Sequence, residues 1–167
     1  LGVALGQPVS IENLGGAAGM VGTDKVAKAA PDGHYLALVA SSHSINPSMY
    51  KKLPFDPMTS FTFIHGFGLS PLILVVPANS PFKTLKDLVD FAKANPGKLT
   101  FGSVGSGSGA HLVAELLAAN AGIKMTHIPY KGSAPAMIDL LGGRLDLIFD
   151  YSIVVKSKIE AGKLRPL

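Results

Sequence analysis

The chain has 167 residues, of which 47% are hydrophobic and 16% charged, with a net charge of +4. That length and balance describe a globular chain with a sizeable core and exclude a disordered polymer. The lysines are scattered, so no nucleic-acid or membrane-surface patch is expected, and the absence of cysteine closes disulfide, cysteine–zinc and cysteine-nucleophile chemistry.

No apolar run approaches the ~20 residues of a membrane-spanning helix. The first residue is not Met, and Leu1-Gly2-Val3-Ala4-Leu5 lacks the basic opening of a signal peptide. Lys163 to Leu167 reads as the entry to a strand. Both ends are therefore expected to be cut.

In chain order, Leu1 to Leu5 reads as a helix tail ended by Gly6, and Pro8 to Ile11 as a short strand. Asn13 to Gly19 is a flexible turn, and Val21 to Ala30 a helix. After the Pro31-Asp32-Gly33 turn, Tyr35 to Ala40 is a continuous apolar run, the pattern of a strand buried on both faces. It opens into Ser41-Ser42-His43-Ser44 and Asn46-Pro47. Residues 50 to 62 read as loop, Phe63 to Leu69 as a strand, and Leu72 to Val76 as a strand closed by Pro77. An amphipathic helix follows Thr84, with Leu85, Leu88, Val89 and Ala92 inward and Asn95-Pro96-Gly97 as its stop.

Leu99 to Ser103 is a strand, and Ala110 to Ala121 a helix with Leu112, Leu116 and Ala119 on one face. Met125 to Ile128 is the next strand. A helix to Leu141 then starts at Pro135, with Ser133 as its cap. Leu145 to Phe149 is a strand, and Ile153 to Ala161 a helix ended by Gly162. From residue 99 the alternation predicts a mostly parallel sheet covered by helices, with ligands beyond the carboxyl ends of its strands. Those ends carry residues 103–109, 129–134 and 150–152. In the earlier half, 41–44 holds the corresponding place.

The first of these loops concentrates the chemistry. Residues 102–109 hold four glycines and three serines between a strand and a helix. Glycines admit tight turns and close approach, and a helix start offers unpaired N–H groups to an anion. A tight, well-capped turn would use the same residues. Gly105 to Ala110 also satisfies G-x-G-x-x-G/A, which leaves a dinucleotide-binding enzyme domain as an alternative, although the next strand end carries no acid for a ribose. A phosphate loop and a nucleophile elbow are both excluded by spacing. No histidine pair lies four apart, so no helical metal pair is expected. His111 either faces the crevice or packs, and Asp150 either caps a helix or meets a cation. What survives is a non-catalytic anion site between two helix starts, near Ser108 and Ala134, suited to a carboxylate and needing no cofactor.

The motifs also carry a resemblance. Val9-Ser10-Ile11-Glu12-Asn13 with Gly15-Gly16-Ala17-Ala18-Gly19, and Val26 to Gly33, are two blocks of it. Ser41 to Pro47, Tyr50 to Pro57, Ala92 to Leu99, the Gly/Ser loop, His127 to Ala136 and Ala161 to Arg165 complete it. In this order they resemble the Bug-type receptors of the tripartite tricarboxylate transporter family. After Asn13 this chain has Leu14-Gly15 where that family usually carries Arg-Pro.

The resemblance implies a periplasmic receptor of the type II periplasmic-binding-protein fold that delivers a small carboxylate to membrane permease subunits. It implies a partial lobe one (residues 1–75), a lobe two (76–163) and the start of a return crossover strand (164–167). Ser103, Ser106, Gly107 and Ser108 match the carboxylate loop. Tyr130, Gly132 and Ser133 would line the same side, with Asp150 at its edge, and Ser41, Ser42 and His43 would approach from lobe one. A non-binding fragment that self-associates through cut sheet edges is the remaining alternative.

Overall fold

The computed structural model describes residues 1–167 throughout. Its sheet grows from the second half of the chain, where short β-rich runs alternate with helical ones. Five strands, β1 (Leu72–Pro77), β2 (Thr100–Ser103), β3 (Thr126–Pro129), β4 (Leu147–Tyr151) and β5 (Leu164–Pro166), lie in the order β3-β2-β4-β1-β5. β2 is parallel to β3 and β4, whereas β1 is antiparallel to both β4 and β5. The sheet is therefore mixed, with four strands running one way and β1 alone reversed between two of them.

Strand alternation divides the core into two layers. Leu74, Val76, Phe101 and Leu147 point to one face, under helices α4 (Leu85–Ala94) and α5 (Gly109–Ala121). Val75 and Ile148 point to the other, under α6 (Ser133–Leu141) and α7 (Ser152–Glu160). α4 starts on a capping box: Thr84 Oγ1 accepts the Asp87 N–H at 3.2 Å and the Asp87 carboxylate accepts the Thr84 N–H at 2.9 Å. α5 stops at Gly122, whose φ of 65° is left-handed.

Two helices differ from expectation. α5 buries Ala110, Ala114 and Ala118, while Leu116 is 60% exposed. The helix lies close on β2 and β4, and only the methyl stripe fits there. α6 begins at Ser133 with Gly132 as N-cap, so Pro135 is its third residue, not its first. Ser133 does not cap it, because its hydroxyl is engaged elsewhere.

The first 71 residues contain no strand. They form α1 (Gly2–Leu5, closed by Gly6 as expected), a 3-10 turn at Ala17–Gly19, α2 (Met20–Ala27) and α3 (Ser42–Met49). The strands expected at 8–11, 35–40 and 63–69 are absent. A strand exists only through a neighbour's hydrogen bonds, and no segment here pairs with these runs. Tyr35 to Ala40 is correspondingly exposed rather than buried on both faces, with Leu38 at 82%. Ser41-Ser42-His43-Ser44, expected as loop, instead enters α3, which continues through Pro47.

Two substitutions test this account by urea unfolding. Leu147→Ala empties a fully buried position between the α4/α5 layer and the sheet and is expected to cost about 2–5 kcal/mol. Thr84→Ala removes the capping box and is expected to cost about 1 kcal/mol.

Candidate functional site

Because β2, β3 and β4 are parallel, the connections that leave them open on one edge of the sheet. β2 and β4 are neighbours, yet the helices that follow them, α5 and α7, cover opposite faces. Such a divergence leaves a crevice outside the strand ends. The Gly/Ser loop lies in it.

The loop is built from its own side chains. Ser103, the buried end of β2, accepts the Gly105 N–H at 3.1 Å and sits 2.6 Å from His127 Nε2 on β3. Ser108 is the N-cap of α5 and accepts the His111 N–H at 3.3 Å. The Gly107 N–H donates to His111 Nδ1 at 3.3 Å, which places the ring proton on Nε2, toward Glu115 at 3.7 Å. The N–H groups of Gly109 and Ala110, the first two residues of this 13-residue helix, make no hydrogen bond within the chain. They are donors with the positive end of the helix dipole behind them.

Beneath the loop three rings stack. Phe101 lies 4.8 Å from His127, and His127 lies 4.2 Å from His111, centroid to centroid. His111 thus packs under the loop and orients a loop amide at the same time.

The first half of the chain roofs the loop. A Cβ at Gly105 would stand 3.0 Å from the Ala18 nitrogen. One at Gly107 would stand 3.0 Å from Asn46 Oδ1, and one at Gly109 would stand 2.7 Å from Ser41 Oγ. Tyr50 Oη donates to the Ser106 carbonyl at 3.1 Å. Gly15 passes so close to the Lys131 carbonyl that a Cβ there would overlap it. Ala17 and Ala18 hold left-handed φ values of 46° and 52° to make this approach, a conformation costing about 1–2 kcal/mol for an alanine. Two surface depressions, of about 510 and 290 Å³, are lined by no loop residue and lie along Pro47–Pro57 and between Ala17–Asp24 and Lys52–Pro54.

The sequence-predicted residues therefore divide. Ser41, Ser106, Gly107 and Ser108 meet around the start of α5. Ser42 faces Gly19 instead. His43 is turned into an aromatic cluster with Phe55, Phe61 and Phe63, where its Nε2 donates to the Pro57 carbonyl at 2.9 Å. Ser103 is buried within the loop.

At the neighbouring strand ends, Tyr130 Oη donates to Asp139 at 2.6 Å. Burial first, and then the Asp139 carboxylate, push its phenol upward. Gly132 is the N-cap of α6, and Ser133 Oγ donates to the buried Asp150. Asp150 also accepts the Tyr151 N–H at 2.8 Å, and it does not cap α7, whose N-cap is Tyr151. Beyond β3 stand Tyr130, Lys131 and Gly132, with no carboxylate for a ribose.

Asn46, Tyr50 and Ala18 were missed by pattern reading. Their only sequence signal is membership of the motif blocks around Asn13–Gly19 and Ser41–Pro57.

Burial, and secondarily the His111 ring, lower His127 from 6.5 to about 4. The unfolded chain thus takes up a proton between those pH values that the folded chain refuses. Stability is complete above pH 6.5 and is lost as pH falls toward 4. The urea midpoint is expected to drop across that window, and His127→Gln is expected to flatten the drop. Equal slopes in the two proteins would refute the assignment.

Known proteins match this arrangement. The model of the tripartite tricarboxylate transporter family receptor matches residues 1–167. The "UPF0065 protein in tcbD-tcbE intergenic region" of Pseudomonas sp. strain P51 is 37% identical over 98% of this chain and 49% of its own length. The solved periplasmic binding protein BugD superposes with a TM-score of 0.90 at 36% identity, over 99% of this chain and 55% of that one. An R. palustris protein solved with adipate superposes at 0.93 with 34% identity, over 99% of this chain and 56% of its own. The chain spans about half the length of these relatives. It belongs to the tripartite tricarboxylate transporter receptor family.

Proposed function

We propose that the chain binds a small carboxylate at the start of α5, without catalysis, as the receptor part of a tripartite tricarboxylate transporter. The observation that carries this reading is the pair of unengaged N–H groups at Gly109 and Ala110, in the crevice beyond β2 and β4. A carboxylate accepts two such bonds side by side. Dipole and amides together favour a single anionic group, and both arginines are engaged elsewhere, Arg144 on Asp139 and Arg165 on the Ala78, Ser80 and Phe82 carbonyls. The family membership and the relative solved with adipate, a dicarboxylate, support the same ligand class.

In this reading Ser41, Ser106, Gly107 and Ser108 surround the carboxylate. Ser103, Tyr130, Ser133 and Asp150 hold the loops in place through bonds to one another and to neighbouring elements. Gly132 opens the second helix start on the same edge. Ser42 and His43 support α3 from outside the crevice. The receptor works in the periplasm and hands its ligand to membrane permease subunits, as the family assignment and the periplasmic relative BugD support.

A thermal-shift screen of small carboxylates is expected to raise the melting temperature, whereas NADH is expected to leave it unchanged. Gly107 holds a φ of 83°, and a side chain there meets Asn46 and Tyr50. Gly107→Val is therefore expected to abolish the shift while the circular dichroism spectrum is kept. An undiminished shift in that variant would refute the site.

A further inference from the structure

The amide of Asn46 has no role in the fold as it stands. Asn46 lies on α3, only 3% exposed, and its Oδ1 is buried without a hydrogen-bond partner. A buried polar atom left unpaired destabilises the state that contains it, so such atoms are rare unless something else satisfies them. This one is aimed at the Gly/Ser loop, 3.0 Å from where a Gly107 side chain would begin. The nearest loop amide does not satisfy it, because the Gly107 N–H is committed to His111 Nδ1. Two residues on, the Gly109 and Ala110 N–H groups are also unengaged. Unpaired donors and an unpaired acceptor thus face the same loop from two elements without satisfying each other.

Building on the carboxylate reading above, we propose that Asn46 reads a hydrogen-bond donor next to the bound carboxylate, so that the site selects 2-hydroxy or 2-amino carboxylates over unsubstituted ones. A carboxylate is an acceptor only. It can occupy the free N–H groups of α5, but it offers nothing to Oδ1. A hydroxyl or ammonium on the adjacent carbon supplies the missing donor. A ligand without that group leaves Oδ1 unpaired, and sites built to hydrogen-bond a substrate group reject analogues that lack it. Because α3 rests directly on the loop, ligand entry parts the two, and the ligand then satisfies both sides.

The test is calorimetric titration of the full chain with L-malate, L-aspartate and succinate, which share their dicarboxylate skeleton. L-malate or L-aspartate is expected to bind about tenfold or more tightly than succinate. Tight binding of L-malate alone identifies the hydroxyl as the group read, and of L-aspartate alone the ammonium. Asn46→Leu keeps the branched shape of four side-chain heavy atoms and removes the amide's hydrogen-bonding groups. It is expected to bind whichever of the three bind with equal affinity, and to melt no lower than the parent, since no hydrogen bond is lost. Equal affinities in the parent chain would overturn the inference while leaving the carboxylate site intact. So would discrimination that survives in Asn46→Leu, or a lowered melting temperature in that variant, which would make the amide structural. Binding of none of the three overturns the carboxylate reading, and this inference with it.

Discussion

Close approach of the first half of the chain to glycine backbone is the constraint on which the site depends. The β2–α5 connection passes so close beneath Ala18, Asn46 and Ser41 that a side chain at Gly105, Gly107 or Gly109 would have to displace its neighbour. Gly15 meets the Lys131 carbonyl under the same restriction. Glycine permits such approach because it lacks a Cβ and tolerates positive φ. Ala17 and Ala18 pay the converse cost, holding left-handed backbone to reach the loop. The first half of the chain is thereby seated on the start of α5 through backbone and small polar groups rather than through a hydrophobic interface.

Under the loop, the support is aromatic and hydrogen-bonded. Phe101 and His127 come from adjacent strands in register, and His111 completes the stack from the first turn of α5. Ser103 ties His127 to Gly105, and His111 ties itself to Gly107. Side chains that looked like ligands by type are thus used to fix the positions of amides. The acids near the strand ends behave alike. Asp150 accepts from Ser133, Asp139 from Tyr130 and Arg144, and Asp146 from both the amide and hydroxyl of Thr100. With these carboxylates engaged, the unengaged groups at the start of α5 are neutral: the Gly109 and Ala110 amides and the Asn46 Oδ1.

Much of the second half was legible from residue pattern. Short apolar runs punctuated by Gly, Pro and Asn marked β1 to β5, and Thr84 and Ser108 marked helix starts that the structure also shows. The Gly/Ser loop was recognisable as a helix start because caps and glycines act locally. The expected strands at 35–40 and 63–69 failed for the opposite reason. Their composition is that of buried strands, but pairing is a long-range property, and within this chain they have no neighbour.

What the sequence determined by itself was therefore local: the alternation that makes an α/β sheet, the glycines that free the backbone at 105–109, and the capping serine that leaves two amides of α5 open. Only the tertiary structure decided which candidate side chains reach that helix start. Ser41 arrives there, while His43 turns into an aromatic cluster and Ser103 into its own loop. Asn46 and Tyr50 belong to motif blocks that gave no hint of their contact with the loop, because their place depends on how α3 docks, across more than fifty residues of intervening chain. The physical reason is the range of the forces involved. Caps and turns are settled within a few residues, whereas the packing that brings an unpaired amide to a glycine loop exists only once the chain has folded.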